Sequence, residues 1–143
     1  MNKELYPLVG LSLLVVKNDH ILLGRRRGSH GSGQYGTPGG HMEHGETPTE
    51  GVLRELEEEC GGQFKVSPPT HLCLSNILDY LPKHYVDIAM VAHWVSGDPL
   101  NMEPHKLDGW EWHPLDRLPD GRFASIDNLV IAYKTGQRYF EDV

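Results

Sequence analysis

Cysteine is almost missing from this chain: Cys60 and Cys73 are the two among 143 residues, and no CxxC pair exists. That excludes a disulfide-dense scaffold. Two isolated thiols suit a reducing compartment, with a single bridge between them left open. Positive charge is also scarce, 13 Lys and Arg against 20 Asp and Glu, for a net charge of −7. No broad basic surface is available for nucleic acid, so no nucleic-acid partner is expected. Long apolar runs are absent as well, with nothing approaching the ~20 residues of a membrane span. Met1 to Tyr6 carries charges in place of an apolar leader. Neither a signal peptide nor a membrane partner is expected, and the cytoplasm is the expected address. Repeats, linkers and low-complexity segments are missing too, so residues 1–143 read as one domain. What remains, 38% hydrophobic and 23% charged, is the composition of a globular protein with one core.

Val9 to Val16 is rich in Val and Leu, Lys17-Asn18-Asp19 is a polar turn, and His20 to Gly24 resumes the apolar pattern. This reads as strand, tight connection, strand. Gly28 to Gly45 is glycine-rich, a loop or short strands where backbone must approach something closely. A helix follows over about 48–60. Thr47 is its N-cap, Pro48 its first residue and Glu50 completes a capping box, while Gly61-Gly62 stops it. Leu53, Leu56 and Cys60 are its expected apolar stripe. Leu72 to Leu78 reads as a strand and Tyr85 to Val95 as a long one. Trp110-Glu111-Trp112 is a short strand with one tryptophan expected in the core. A second helix is expected over about 126–136, with Ile126, Leu129, Val130 and Tyr133 on one side. Strands and two helices on so short a chain argue α+β, a sandwich around a mixed sheet.

The chemistry concentrates between Gly39 and Gly62. Glu55, Glu58 and Glu59 stand at i, i+3 and i+4, on an arc of roughly 100° of one helix face. Like charges at these spacings weaken a helix, and no lysine relieves them. One reading is a solvated acidic face. The other is a site for a hard cation such as Mg²⁺, with Mn²⁺ as the alternative, which seeks oxygen ligands and neutralises phosphate charge. Upstream, Arg25-Arg26-Arg27 follows a strand, and the pleat turns one of the three, Arg26, toward any bound phosphate. No HxH or HxxxH pair among the nine histidines suggests zinc. His41, beside the glycine loop, is a candidate phosphate contact.

The spacing of Gly40, Glu46, Arg54-Glu55-Leu56, Glu58-Glu59 and Gly61 resembles the Nudix hydrolase box at every polar and glycine position. Only Gly62 departs, standing where the family carries an aliphatic residue. The resemblance implies an α/β/α sandwich with a mixed β-sheet. It also implies a metal site of Glu55, Glu58, Glu59 and the Gly39 carbonyl, and a structural ion pair of Glu46 with Arg54. Proton acceptance from the attacking water falls to a metal-site glutamate or to one on a later loop. Glu55 is the first candidate and Glu59 the second, and Glu111 is a candidate for the later loop, beside its reading as a surface residue.

Further stretches, Leu22 to Ser29, Pro38 to Glu43, His84-Tyr85-Val86, Glu103 to Lys106 and Gly109 to Trp112, resemble one branch of that family. It holds the MutT-homologue-2-type nucleoside triphosphate diphosphatases and the plant dihydroneopterin triphosphate diphosphatases. The resemblance implies magnesium-dependent hydrolysis of (deoxy)nucleoside triphosphates, oxidised forms included, to nucleoside monophosphate and pyrophosphate, by a homodimer. The base would lie near Tyr85 and Asp87 and near Phe123 to Ile126. Asp87 replaces a small hydroxyl residue usual in the branch. It reads either as an acceptor for the N–H groups of a guanine, pterin or cytosine edge, or as a surface residue. Ala124 stands where relatives carry a bulky aromatic, implying a wider pocket. The alternatives are a dinucleotide or nucleotide-sugar pyrophosphatase and a non-catalytic nucleotide-sensing domain.

Overall fold

A computed structural model describes residues 6–28 and 32–143. Ser29 and the charged start of the chain, residues 1–5, lie outside the described residues. Strand β1 (Leu8–Lys17) turns into β2 (His20–Arg26) through Asn18 and Asp19, at φ 48° and 59°. Both residue types tolerate this left-handed backbone, and the resulting two-residue hairpin pairs Lys17 with His20. The glycine-rich stretch forms two short strands, β3 (Tyr35–Gly36) and β4 (Gly39–His41), which lead into helix α1 (Pro48–Cys60). Next come β5 (Lys65–Val66), β6 (Thr70–Ile77), β7 (Tyr85–Ser96), β8 (Leu107–Pro114), helix α2 (Ala124–Thr135) and β9 (Tyr139–Phe140).

The sheet order is β3-β2-β1-β7-β6-β9, with β4 added on β1, β5 on β7 and β8 on β2. β7 runs parallel to β1 from Leu8↔Tyr85 to Val16↔His93, and β6 runs antiparallel to β7, so the sheet is mixed. Alternation along β1 divides the core in two. Leu14 and Val16 face α2 with Ile126, Leu129 and Val130, whereas Leu11, Leu13 and Val15 face α1 with Val52, Leu56 and Cys60. The fold is α+β, a mixed sheet with a helix on each face.

Helix α1 has the expected bounds and caps: Thr47 Oγ1 accepts from Glu50 N, Glu50 accepts from Thr47 N, and Gly61 closes the end at φ 88°. Its buried stripe differs from the expected one. Val52, Leu56 and Cys60 pack inward, while Leu53 is 41% exposed. The cause is Gly51, where a Cβ would collide with Leu11 Cδ1. The missing side chain lets the first turn sit down on β1 and rolls Leu53 outward. Helix α2 starts at Ala124, two residues before the expected position. Its N-cap, Phe123, offers no side-chain bond, and the Ala124 N–H donates instead to Tyr80 Oη at 3.1 Å. Ala132 is buried in this helix and Tyr133 sits at the margin. Trp110 and Trp112 are both half-buried against the α1-side core, because residues two apart on a strand share a face. The free thiols Cys60 and Cys73 lie in the α1-side and α2-side cores respectively, so they do not form a bridge.

Candidate active site

The capping box fixes where α1 begins, and thereby aims its C-terminal half at β4. There, at Gly39 and Gly40, the backbone comes closer than any side chain permits. A Cβ on Gly39 would strike Leu11 O of β1, and one on Gly40 would strike the Glu55 carboxylate. Glu59 Oε2 accepts from Gly39 N at 3.4 Å. Burial first, then a hydrogen bond and charge repulsion from Glu55, push the Glu59 carboxyl well above the usual carboxylate range. Glu58 is turned away from this pair, its side chain 54% exposed and 3.4 Å from Arg54 Nη1. The structure thus brings Glu55 and Glu59 together over the glycine pair and leaves Glu58 at the rim.

Arg54 organises the approach. Its Nε and Nη2 donate to the two oxygens of Glu46 at 3.0 and 2.8 Å, Nη2 also to His41 O at 3.1 Å, and Nη1 to Glu55 Oε1 at 2.9 Å. Glu46 in turn accepts from Glu43 N at 2.6 Å. The guanidinium hydrogen bonds, followed by that from the Glu43 amide, hold the Glu46 carboxyl down at about 2. Burying one fork between loop and helix is how a bidentate cation locks two elements together.

All the candidate site residues except Glu46 and Glu111 line one cavity of about 530 Å³. Of the three consecutive arginines, Arg26 reaches it, with its guanidinium 5.0 Å from the Phe123 ring centroid. Arg25 bonds Gly33 O and Arg27 pairs with Asp108, both outward. His41 lies against Tyr85, ring centroids 5.7 Å apart. Asp87, which also had a surface reading, is buried at 6% exposure, with Ser12 Oγ donating to its Oδ1 at 2.9 Å. Burial pushes its carboxyl up to about 6, with the Ser12 bond opposing. Glu111 is exposed and lines no part of the cavity. The cavity carboxylate from the later loop is Glu103, accompanied by Lys106, and both border a recess of about 40 Å³ beside Arg26 and Glu59. Sequence reasoning passed over Ser12 and gave Glu103, within a stretch resembling the branch, no role of its own. A hydroxyl interrupting an otherwise apolar strand was the available signal for Ser12, while Glu103 is brought in by a loop whose course is set elsewhere.

Among the described residues no three acidic, imidazole or thiol side chains already converge as a cage. The donor set nevertheless fits a hard divalent cation: carboxylates of Glu55 and Glu59, Glu58 one turn along, and the Gly39 carbonyl, all oxygen. The cradle at Gly40, which any side chain would fill, supports the same assignment.

A model of the NUDIX domain matches residues 7–133. The chain belongs to the NUDIX family. Among curated NUDIX relatives, it is 30% identical over 128 residues to the 8-oxo-dGTP diphosphatase of Escherichia coli (strain K12), covering 87% of this chain and 92% of that protein. It is 32% identical over 116 residues to the NAD-capped RNA hydrolase NudC of Edwardsiella ictaluri, covering 80% of this chain and 42% of that protein. It is 40% identical over 95 residues to the ADP-ribose pyrophosphatase of Methanocaldococcus jannaschii, covering 66% of this chain and 55% of that protein. The chain therefore spans about half the length of the last two. Among solved structures, the MutT NUDIX hydrolase of Burkholderia pseudomallei superposes with a TM-score of 0.80 at 31% identity, covering 87% of this chain and 96% of that one.

Proposed function

We propose that this NUDIX chain hydrolyses a phosphoanhydride bond of (deoxy)nucleoside triphosphates, oxidised forms included, releasing nucleoside monophosphate and pyrophosphate. The observation that carries the reading is one cavity lined by Glu55 and Glu59 over Gly39-Gly40, by Arg26, and by Asp87, Tyr85, Phe123 and Ile126. That lining suits a polyphosphate tail at the carboxylates and a base at the aromatic side chains. The similarity to an 8-oxo-dGTP diphosphatase along nearly its whole length supports this choice.

Glu55, Glu58, Glu59 and the Gly39 carbonyl would hold Mg²⁺, or Mn²⁺ in its place. A cation held there would offset the charge that develops on the phosphate and lower the pKa of water. Arg26 binds the phosphate through its guanidinium fork, and His41 contributes a ring nitrogen to the same chain of oxygens. Glu55, held by Arg54 Nη1 at 2.9 Å, accepts the proton of the attacking water, and Glu59 is the second candidate for that role. Glu46 and Arg54 keep loop and helix in register. The partner is a small nucleotide, whose repulsion by a chain of net charge −7 Arg26 and a divalent cation would offset. A homodimer in the cytoplasm completes the reading by family resemblance and composition. Among the described residues no helix is long and apolar enough to cross a membrane.

The test is pyrophosphate release from a panel of nucleoside triphosphates with magnesium. A chelator abolishes it, and Glu55→Gln and Glu59→Gln each lower kcat by on the order of 10²-fold or more. Full activity in both variants overturns the assignment. A second reading, cleavage of a dinucleotide or nucleotide-sugar, draws on the ADP-ribose pyrophosphatase similarity. It yields two monophosphate products and no pyrophosphate. A non-catalytic nucleotide sensor turns over nothing.

A further inference from the structure

The cavity is lined by a buried carboxylate that the fold satisfies only in part. Asp87 is 6% exposed, and its Oδ2 has no hydrogen-bond partner. Oδ1 takes the Ser12 hydroxyl at 2.9 Å. Asp87 takes part in none of the ion pairs among the described residues. Gly10, its neighbour on β1, leaves the space open: a Cβ there would sit 3.2 Å from Oδ1. Ile77, Phe123 and Ile126 line the same cavity, and Ser75, opposite Asp87 on β6, is buried with its own Oγ unpartnered. A buried acceptor left in this state costs the fold stability, and a ligand that donates to it recovers the loss.

We propose that Asp87 selects the heterocycle, accepting from a base edge that carries a ring N–H beside an exocyclic amine, the 2-amino-4-oxo edge shared by guanine and pterins. This rests on the nucleotide cavity proposed above and names its substrate class. An ionised carboxylate only accepts, so it rewards adjacent donors and repels lone pairs. The guanine edge offers N1–H and N2–H₂ side by side. Cytosine and adenine offer one amine next to a bare ring nitrogen, whose lone pair would face Oδ1 or Oδ2. Uracil and thymine present one N–H between two carbonyl oxygens, and either oxygen meets the carboxylate unfavourably. A site built to take a donor rejects the analogue that lacks it more strongly than an apolar pocket rejects a change of size.

The experiment is calorimetric titration of guanosine, cytidine and uridine monophosphates into the full chain with magnesium, for wild type, Asp87→Asn and Asp87→Ala. Wild type binds the guanosine compound at least about tenfold more tightly than the other two, the worth of one charge-assisted hydrogen bond. Asp87→Asn replaces the free acceptor by a donor of the same shape. It loses at least tenfold for guanosine monophosphate while uridine monophosphate holds or gains, and Asp87→Ala loses the guanosine preference without that gain. A pterin phosphate bound as tightly as the guanosine compound identifies the edge, not the purine, as what is read; one bound no better than uridine monophosphate overturns the shared-edge assignment. Equal affinities for guanosine and uridine compounds, undiminished guanosine binding in Asp87→Asn, or no binding at all overturns it. Pyrophosphate release separates the two readings. Turnover that ignores the base sinks Asp87 alone. Absence of turnover with every triphosphate sinks the hydrolase reading, while the titrations still report on the pocket.

Discussion

Single side chains in this protein have conflicting demands placed on them, and Arg54 and Asp87 show the two outcomes. Arg54 is half-buried among four carboxylates and serves several at once, which only a planar fork with five donors can do. Arg54→Lys keeps the charge and loses the bidentate grip on Glu46. Its kcat/KM for nucleotide hydrolysis is expected to fall on the order of 10–100-fold, the usual cost of disturbing a group that orients metal ligands. Asp87 is the opposite case, a buried charge with one hydrogen bond, from Ser12. Its folded-state carboxyl stands at about 6 against an ordinary 3.8, so the folded protein holds that proton more tightly than the unfolded chain. The stability this confers is present below pH 4 and is lost as pH rises through about 6. At pH 7.5 the wild type therefore carries a buried charge costing on the order of 3 kcal/mol, at 1.36 kcal/mol per pKa unit. Asp87→Asn is expected to be more stable than wild type at pH 7.5 in urea denaturation, by an amount that shrinks toward pH 4. An advantage independent of pH would show that the charge is not the cause.

At the scale of elements, α1 was the most legible part of the chain, and the reason is locality. Its cap, its first proline and its terminating glycine interact within four residues, so Thr47, Pro48, Glu50 and Gly61 specify the bounds without help from the sheet. Thr47→Ala removes one half of the capping box and is expected to cost about 1 kcal/mol in chemical denaturation. The candidate metal-site carboxylates lie two turns further on, so turnover should survive. Which face of the helix turns inward was decided by the contact of Gly51 with Leu11. The start of α2 was misjudged because its first amide is satisfied by Tyr80, 44 residues earlier in the chain. The paired strands β1 and β4 make a further claim testable. Gly40→Ala places a methyl group where the Glu55 carboxylate sits, and should lower kcat at least tenfold, within the span attributed to a positioned proton acceptor. Unchanged far-ultraviolet circular dichroism would localise that loss to the site; unchanged kcat would remove Glu55 from it.

The whole molecule divides at the sheet, one core under each helix, and the two thiols report on the two halves. Burial pushes the Cys73 thiol up to about 11 and raises Cys60 further, so neither forms a thiolate in the native state near neutrality. A thiol reagent at pH 8 should label neither cysteine in the native protein and both in denaturant. Rapid labelling of one alone would mean that its half opens independently of the other. The layering also shows how both faces of β1 reach the cavity. β1 sends Leu11 toward α1 and Ser12 toward α2, so neighbouring residues contribute to opposite sides of one site.

Patterns spanning a few residues carried the composition class, the strand–turn–strand opening, helix α1 and the box from Gly40 to Gly61, because hydrogen bonding and periodicity act over that distance. The family followed from the same fixed spacing. Everything that depended on distant segments meeting was decided by the folded chain. This covers the burial of Asp87 against Ser12, 75 residues apart, the arrival of Glu103 and Lys106 at the cavity, and the joint packing of Trp110 and Trp112. Strand register sets which side chains face each other, and register belongs to the pairing of β1 with β7 and not to either strand alone.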